Sequence, residues 1–252
     1  MKRYVEHVMG MPISLALRGR HADDELAAQA WADALDILRT ADRIFSTYRD
    51  DSHVSRLNRG ELAVADCPPE VAEVLELGEQ ARIESGGAFD VRRSGGLDPS
   101  GVVKGWAVER AAAPFKRLAG TDYCLSAGGD MTCRVGPRSE AWRIGIEDPF
   151  DPDRVAAVVP IRNGAIATSG LHRRGHHITD ARSGDTPTAL ASVTVVHRSL
   201  TQADIDATTA FALGAEGPAW LQTRPNRTGL IIHADGTRQV FGQTARLSSR
   251  SR

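Results

Sequence analysis

The hydrophobic period of this chain changes along its length, and that change limits the folds open to it. Ala27, Trp31, Ala34, Leu38, Ala41 and Phe45 recur at three- and four-residue steps. That spacing buries one face of a helix over roughly 24–46, with Asp23 and Asp24 offered as N-caps. Pro68 and Pro69 open a second helix through Val71, Val74, Leu75 and Ala81, closed by Gly86 and Gly87. A third begins near Lys104 and falters at Pro114. From Tyr123 onward the period becomes that of strands, at YCLSAG, WRIGIEDP, VAAVVPI, AIATSG and ASVTVVHR, separated by Gly-, Pro- and Asp-rich turns. Residues 4–18 also alternate as one strand, a helix follows Thr201 to about Leu213, and GLIIHADGTRQVFG reads as a hairpin around Asp235-Gly236. Helices gathered early and strands late predict an α+β fold with a mostly antiparallel sheet. The intervening STYRDDSHVSRLNRG reads as a polar turn, and the tail LSSRSR as a frayed end.

The chain has 252 residues, of which 41% are hydrophobic and 25% charged, an ordinary globular composition that gives disorder and coiled coils no support. Its 31 Lys+Arg against 32 Asp+Glu lack the basic surplus that phosphate-backbone binding calls for, so no nucleic-acid partner is expected. Neither a signal-peptide pattern nor an apolar run near the ~20 residues of a bilayer span is present, and the first cysteine, Cys67, comes too late for a lipid anchor. Cys67, Cys124 and Cys133 form no C-x-x-C pair, and Cys124 and Cys133 read as small buried residues. A cytoplasmic address without a membrane anchor is the resulting expectation.

Four segments could carry chemistry. In TQADIDATTAFALG, Asp204 and Thr208 are four apart and so share a helix face, presenting a carboxylate and a hydroxyl suited to Mg²⁺. The same segment also fits a capping-box variant, Thr201-x-x-Asp204, which needs no metal. In LDPSGVVKGWAVE, the small residues Gly101 and Gly105 let backbone approach a ligand while Lys104 supplies a cation. The competing reading is a solvated lysine beside a turn glycine, since the spacing is not that of a Walker A loop. Gly128-Gly129-Asp130, after the strand YCLSA, reads first as a turn and second as a ligand loop. His172, His176 and His177 make a poor zinc set beside Arg173 and Arg174, and one of them as a general base competes with a histidine bonded to backbone.

Taken in order, these segments resemble the ApbE family of FAD:protein FMN transferases, from about residue 9 to about residue 214. Met9-Gly10-Met11 is similar to the family's early Met-Gly-Thr, and FSTYRDDSHVSRLN to its S-x-[YW]…S-x-[IL]-S-x-[LF]-N signature, with Ser52, Ser55 and Asn58. Gly87-Ala88-Phe89-Asp90 matches G-A-F-D, LDPSGVVKG resembles D-L-G-G-I-A-K-G, and SAGGD with WRIGIEDP resembles the G-G-D and W-x-[IV]-G-I-x-x-P run. ATSG, HHITDARSG and ADIDATTAFALG resemble T-S-G, H-[IL]-I-D-P-R-T-G and A-D-x-x-[AS]-T-x-x-x-x-L-G.

The resemblance implies a T-fold-related ApbE-like fold, a mixed but mostly antiparallel sheet with helices packed on it, over residues 1–252 as one domain or two lobes with FAD between them. It implies an enzyme that binds FAD with Mg²⁺, joins FMN to a Thr or Ser of an acceptor flavoprotein and releases AMP. Asp204 and Thr208 would then be side-chain metal ligands, helped by the carbonyls of Gly101 and Ala207. Met9, Tyr48, Ala88, Phe89, Asp90, Asp98 and Lys104 would line the FAD site, with Tyr48 and Phe89 available for stacking. His177 would be the base at the acceptor hydroxyl, oriented by Asp180. Two departures from the family pattern stand out. Pro99 removes an N–H from the lysine motif, and Thr179 and Ala181 alter the histidine motif. The rival readings are an FAD pyrophosphatase giving AMP and free FMN, and a flavin-binding protein without catalysis.

Overall fold

The computed structural model describes residues 1–93, 95–170 and 178–242. Strands β1 (Lys2–Val8) and β2 (Met11–Gly19) form a hairpin where the alternation alone predicts one strand over 4–18. The chain reverses at Met9 and Gly10, both with positive φ (57° and 69°), as a two-residue hairpin turn requires. A turn of two residues leaves the alternation almost unbroken, which is why the pattern hides it.

Helix α1 (Glu25–Phe45) lies where its spacing predicts, with Asp24 as N-cap accepting the Ala27 N–H at 3.1 Å. The polar turn contains a short helix, α2 (His53–Asn58), capped by Ser52. Six residues are too few to show a helical period. Helix α3 (Pro69–Glu84) ends at Gly86 and Gly87 in positive φ, with the Gly87 N–H donating to the Arg82 carbonyl. The two-residue strands β3 (Arg92–Arg93) and β4 (Gly96–Leu97) lead into α4 (Ser100–Ala111), which starts four residues before Lys104 and ends before Pro114.

Strands β5 (Thr121–Ala127), β6 (Asp130–Arg134), β7 (Trp142–Asp148), β8 (Asp151–Ile161), β9 (Asn163–Gly170) and β10 (Leu190–His197) follow. Of these, β6 is the one the sequence pattern misses, hidden behind the Gly128-Gly129 turn. Helix α5 (Leu200–Ala212), a short α6 (Gly217–Gln222) and the expected hairpin of β11 (Thr228–His233) and β12 (Arg238–Phe241) complete the described chain.

Eight strands form one sheet in the order β1-β2-β5-β6-β9-β10-β11-β12, and every neighbouring pair is antiparallel. Alternation divides its side chains between two cores. Leu15, Leu125, Ala167 and Val193 pack under the helices, whereas Cys124, Cys133, Ile166 and Ile232 pack under the separate β7–β8 hairpin. Register brings the Met9-Gly10 turn, the Gly128-Gly129 turn and the end of β9 to one rim of the sheet, where the Gly128 N–H donates to the Pro12 carbonyl. Helices α4 and α5 pack against each other and on the sheet, α5 over β9 and β10 and α4 over β5 and β6. No helix among the described residues is long and apolar enough to cross a membrane.

Candidate active site

Gly105 sets the distance between α4 and α5. A Cβ there would lie 2.8 Å from Asp204 Cβ and 2.9 Å from the Leu200 carbonyl oxygen, so the missing side chain admits a neighbouring helix, not the ligand that its position suggests. This close approach lets the Gly105 N–H donate to Asp204 Oδ2 at 2.9 Å. In an ideal helix that N–H belongs to the carbonyl of Gly101.

Lys104, one position earlier on α4, is not a solvated turn lysine. Its Nζ lies 2.6 Å from Asp130 Oδ2 on β6 and 3.1 Å from Asp204 Oδ1 on α5, and the two carboxylate side chains are each only 2% exposed. Asp130 Oδ1 also accepts the Thr168 N–H at 3.0 Å. Two buried carboxylates therefore share one ammonium, with a surplus of one negative charge among the described residues when all three are ionised. Burial works against the charge on Lys104, but Asp204 and Asp130 outweigh it and hold the ammonium above the ordinary lysine range. Burial raises the carboxyl of Asp204; Lys104 opposes that rise and Asp130 adds to it.

The capping-box reading of Asp204 does not hold. The N-cap of α5 is Ser199, whose hydroxyl accepts the Gln202 N–H, and Asp204 sits five residues into the helix. Thr201 serves a different partner. Its N–H and hydroxyl, with the Ser199 hydroxyl, all donate to Glu109 Oε2 at 2.6–2.9 Å, so α4 supplies a carboxylate to the start of α5. One turn beyond Asp204, the Thr208 hydroxyl is 3.0 Å from that of Ser169 on β9. A Cβ on Gly101 would meet the Phe89 ring at 3.0 Å and Thr208 Cγ2 at 3.9 Å, which brings Gly101, Phe89 and Thr208 together. Ala207 is buried beside them on α5.

The remaining expected residues are placed less uniformly. Ala88 and Phe89 are buried, and the Ala88 carbonyl accepts the Ala181 N–H at 3.0 Å, docking the 180–185 loop onto the G-A-F-D turn. Asp90 and Asp98 bind the backbone N–H groups of Arg92 and Ser100 within their own turns, at 2.7 and 3.1 Å. Met9 packs half-buried against the helix-side core. Tyr48 is 98% exposed in the loop between α1 and α2 and does not join Phe89. Asp180 takes the Arg182 guanidinium through Nε at 3.0 Å and Nη2 at 2.6 Å, and this pairing holds its carboxyl below the usual range. His172, His176 and His177 lie outside the described residues, so both the base and the zinc readings fall there. No group of three or more His, Cys, Asp or Glu side chains converges on a metal position among the described residues.

Four residues have roles that the sequence reading does not assign. Asp130 and Ser169 were within reach, as the last residue of G-G-D and the middle one of T-S-G. Glu109 could not be found locally, because it acts about ninety positions from its partners. Asn58 clamps β4 by donating to the Leu97 carbonyl at 2.9 Å and accepting the Leu97 N–H at 2.7 Å. An open concavity of about 310 Å³ lies beside that clamp, lined by Leu57, Leu75 and Arg92, and contains none of Lys104, Asp130 or Asp204.

Comparison with known proteins bears on this geometry. The model of the ApbE family matches residues 9–95 and 91–232. An FAD:protein FMN transferase of Vibrio cholerae is 32% identical over 131 residues, which are 48% of this chain and 39% of that protein. One from Haemophilus influenzae is 30% identical over 152 residues, 55% of this chain and 44% of that protein. The matched stretches thus span less than half of these curated relatives. The crystal structure of the ApbE protein of Thermotoga maritima superposes with a TM-score of 0.82 at 19% identity, covering 95% of this chain and 96% of that one. The apo flavinyl transferase ApbE of Pseudomonas stutzeri gives 0.80 at 22%, covering 95% and 94%. At such identities these likenesses establish the fold.

Proposed function

From the premise that this chain belongs to the ApbE family, we propose that it is an FAD:protein FMN transferase acting at the Lys104–Asp130–Asp204 cluster. The acceptor would be a flavoprotein with a Thr or Ser hydroxyl at its modification site. That oxygen attacks the phosphorus on the FMN side of the FAD pyrophosphate, the bridging P–O bond breaks, and AMP leaves with the electron pair.

The observation that carries the reading is the charge count of the cluster, two buried carboxylates around one ammonium next to the hydroxyls of Thr208 and Ser169. Hard oxygen donors with surplus negative charge fit a divalent cation of the Mg²⁺ class. Asp204 and Thr208 would hold it, with the carbonyls of Gly101 and Ala207, since a carboxylate oxygen already paired with Lys104 keeps a spare lone pair. When bound, such a cation neutralises charge on the pyrophosphate oxygens. Lys104, held charged by its two carboxylates, adds a fixed positive group at the same place. Ala88 and Phe89, both buried, would line the flavin site with Met9, Asp90 and Asp98, whereas Tyr48 stands exposed and apart from them; His177 would take the acceptor proton, with Asp180, paired to Arg182, as its orienting carboxylate. A cytoplasmic site of action belongs to the same reading, and cell fractionation tests it.

The deciding experiment incubates the purified protein with FAD and Mg²⁺, with and without a candidate acceptor domain, and follows AMP together with the acceptor's intact mass. AMP release with an acceptor gain equal to FMN minus water is the expected result. AMP with free FMN in the presence of every acceptor offered would make the protein a pyrophosphatase, and bound FAD without AMP would make it a binder.

A further inference from the structure

Two of the three cysteines, scattered in sequence, meet in the fold. Register sets Cys124 of β5 directly opposite Cys133 of β6, and their Sγ atoms are 3.2 Å apart. Residues facing one another on an antiparallel pair have Cα atoms about 4.5–5.5 Å apart, inside the roughly 4.4–6.8 Å that a disulfide bridges, so a bond needs no backbone shift. Cys67 sits elsewhere, its thiol against the Ala63 carbonyl. An odd, sparse count therefore hides one matched pair.

We propose that Cys124 and Cys133 form a reversible cross-strand disulfide, exchanged with a low-molecular-weight thiol–disulfide couple. Both thiols lie under the β7–β8 hairpin, among Trp142, Ile144 and Ile166. Among the described residues that hairpin pairs only with itself as a sheet, and it covers the thiols by side-chain packing together with the Arg238 contacts to the Ala156 carbonyl and to Asp148. Cys124 is the more accessible, 8% exposed against 2% for Cys133, and its sulfur accepts the Cys133 S–H. That bond, with burial, pushes the Cys133 thiol up, leaving Cys124 as the first nucleophile.

The steps balance. Cys124 loses its proton and its thiolate attacks one sulfur of the small disulfide, whose S–S bond breaks to release one small thiolate. Cys133 then loses its proton and attacks the Cys124 sulfur, expelling the second small thiolate. Two electrons pass from the cysteine pair to the small disulfide, and the two protons end on the two thiols released. The link lies three rungs from the Ala127–Asp130 pair, and so ties together the strands whose turn presents Asp130 to Lys104.

The test uses the full chain carrying Cys67→Ser, equilibrated in glutathione/glutathione disulfide buffers both as folded protein and during refolding, then quenched in acid. The expected result is an intact mass lower by about 2 Da, a linked peptide containing both cysteines, reversal by dithiothreitol, and a Tm higher by about 4 °C or more in the oxidised form. Adding Cys133→Ser should leave a glutathione adduct on Cys124, whereas Cys124→Ser should leave Cys133 unmodified; the opposite preference overturns the order of attack. If both thiols alkylate freely after denaturation from the most oxidising buffer, by either route, or collect glutathione without the 2 Da loss, the disulfide is refuted.

Discussion

Helix α5 buries two aspartates two positions apart, and their surroundings differ in charge. Asp206 faces Arg227, whose Nε is 2.6 Å from Oδ2, and Arg224, whose Nη2 is 3.4 Å from Oδ1 and 2.6 Å from Glu84 Oε2. Two cations and two anions cancel there. Asp204, about 200° round the same helix, shares one ammonium with a second buried carboxylate. A buried charge is costly unless it is paired, so a balanced cluster serves to hold α5 against the connection between α6 and β11. An unbalanced one is kept against that cost, and a cationic ligand is what would balance it.

Removing each aspartate should separate the two roles. Asp204→Asn keeps the shape and a hydrogen-bond acceptor, deletes the surplus charge, and should lower metal-dependent FMN transfer about 10³-fold, roughly 4 kcal/mol of transition-state stabilisation. The two-state unfolding midpoint should hold or rise. Full activity in this variant would sink the site assignment. Asp206→Ala should do the reverse, costing about 3 kcal/mol because it strands Arg227 and Arg224, and lowering Tm by about 6–12 °C while the folded fraction stays active. A drop in activity of the folded Asp206→Ala protein as large as that of Asp204→Asn would erase the distinction.

A milder test leaves the covalent structure alone. At about ten times its Kd, Mg²⁺ should add about 1.4 kcal/mol to the wild-type protein, a Tm rise of about 3–5 °C. Chelation should reverse it. The same rise should persist in Asp206→Ala and vanish in Asp204→Asn, and an equal shift in both variants would place the cation elsewhere.

The two aspartates also mark how far the sequence is legible. D-I-D within ADIDATTAFALG shows that both lie on one helix, and the four-residue step from Asp204 to Thr208 singles out one face. What each carboxylate meets depends on Lys104, Asp130, Arg224 and Arg227, brought in by α4, β6 and the chain after α6. Long periodic elements such as α1 and α3 could be read because each turn repeats the signal. Helix α2 is too short to repeat it, β6 begins inside what looks like a turn, and the β1–β2 reversal hides behind an unbroken alternation. Lys104 was legible as a cation but not as one shared by two buried carboxylates, since those partners come from two elements distant in sequence.

A further buried aspartate sharpens the comparison at the smallest scale. Asp122 on β5 has one cation, Arg18, with Nε at 2.9 Å from Oδ2, and neutral donors in the Gly136 N–H at 2.7 Å and the Ser139 hydroxyl at 3.1 Å. Burial alone would raise its carboxyl, but these three partners outweigh burial and hold it below the ordinary range. A carboxyl depressed in the folded state is favoured as the anion. Its contribution is therefore complete above the unfolded value of about 3.9 and is lost as pH falls through the lower folded value. Asp122→Asn should cost about 1 kcal/mol at pH 7 by urea unfolding, and the gap to wild type should narrow below about pH 4. A gap that stayed constant down to pH 3 would mean that Asp122 holds the β7–β8 entry by shape, not by charge, and that a balanced buried carboxylate need not be ionised to do its work.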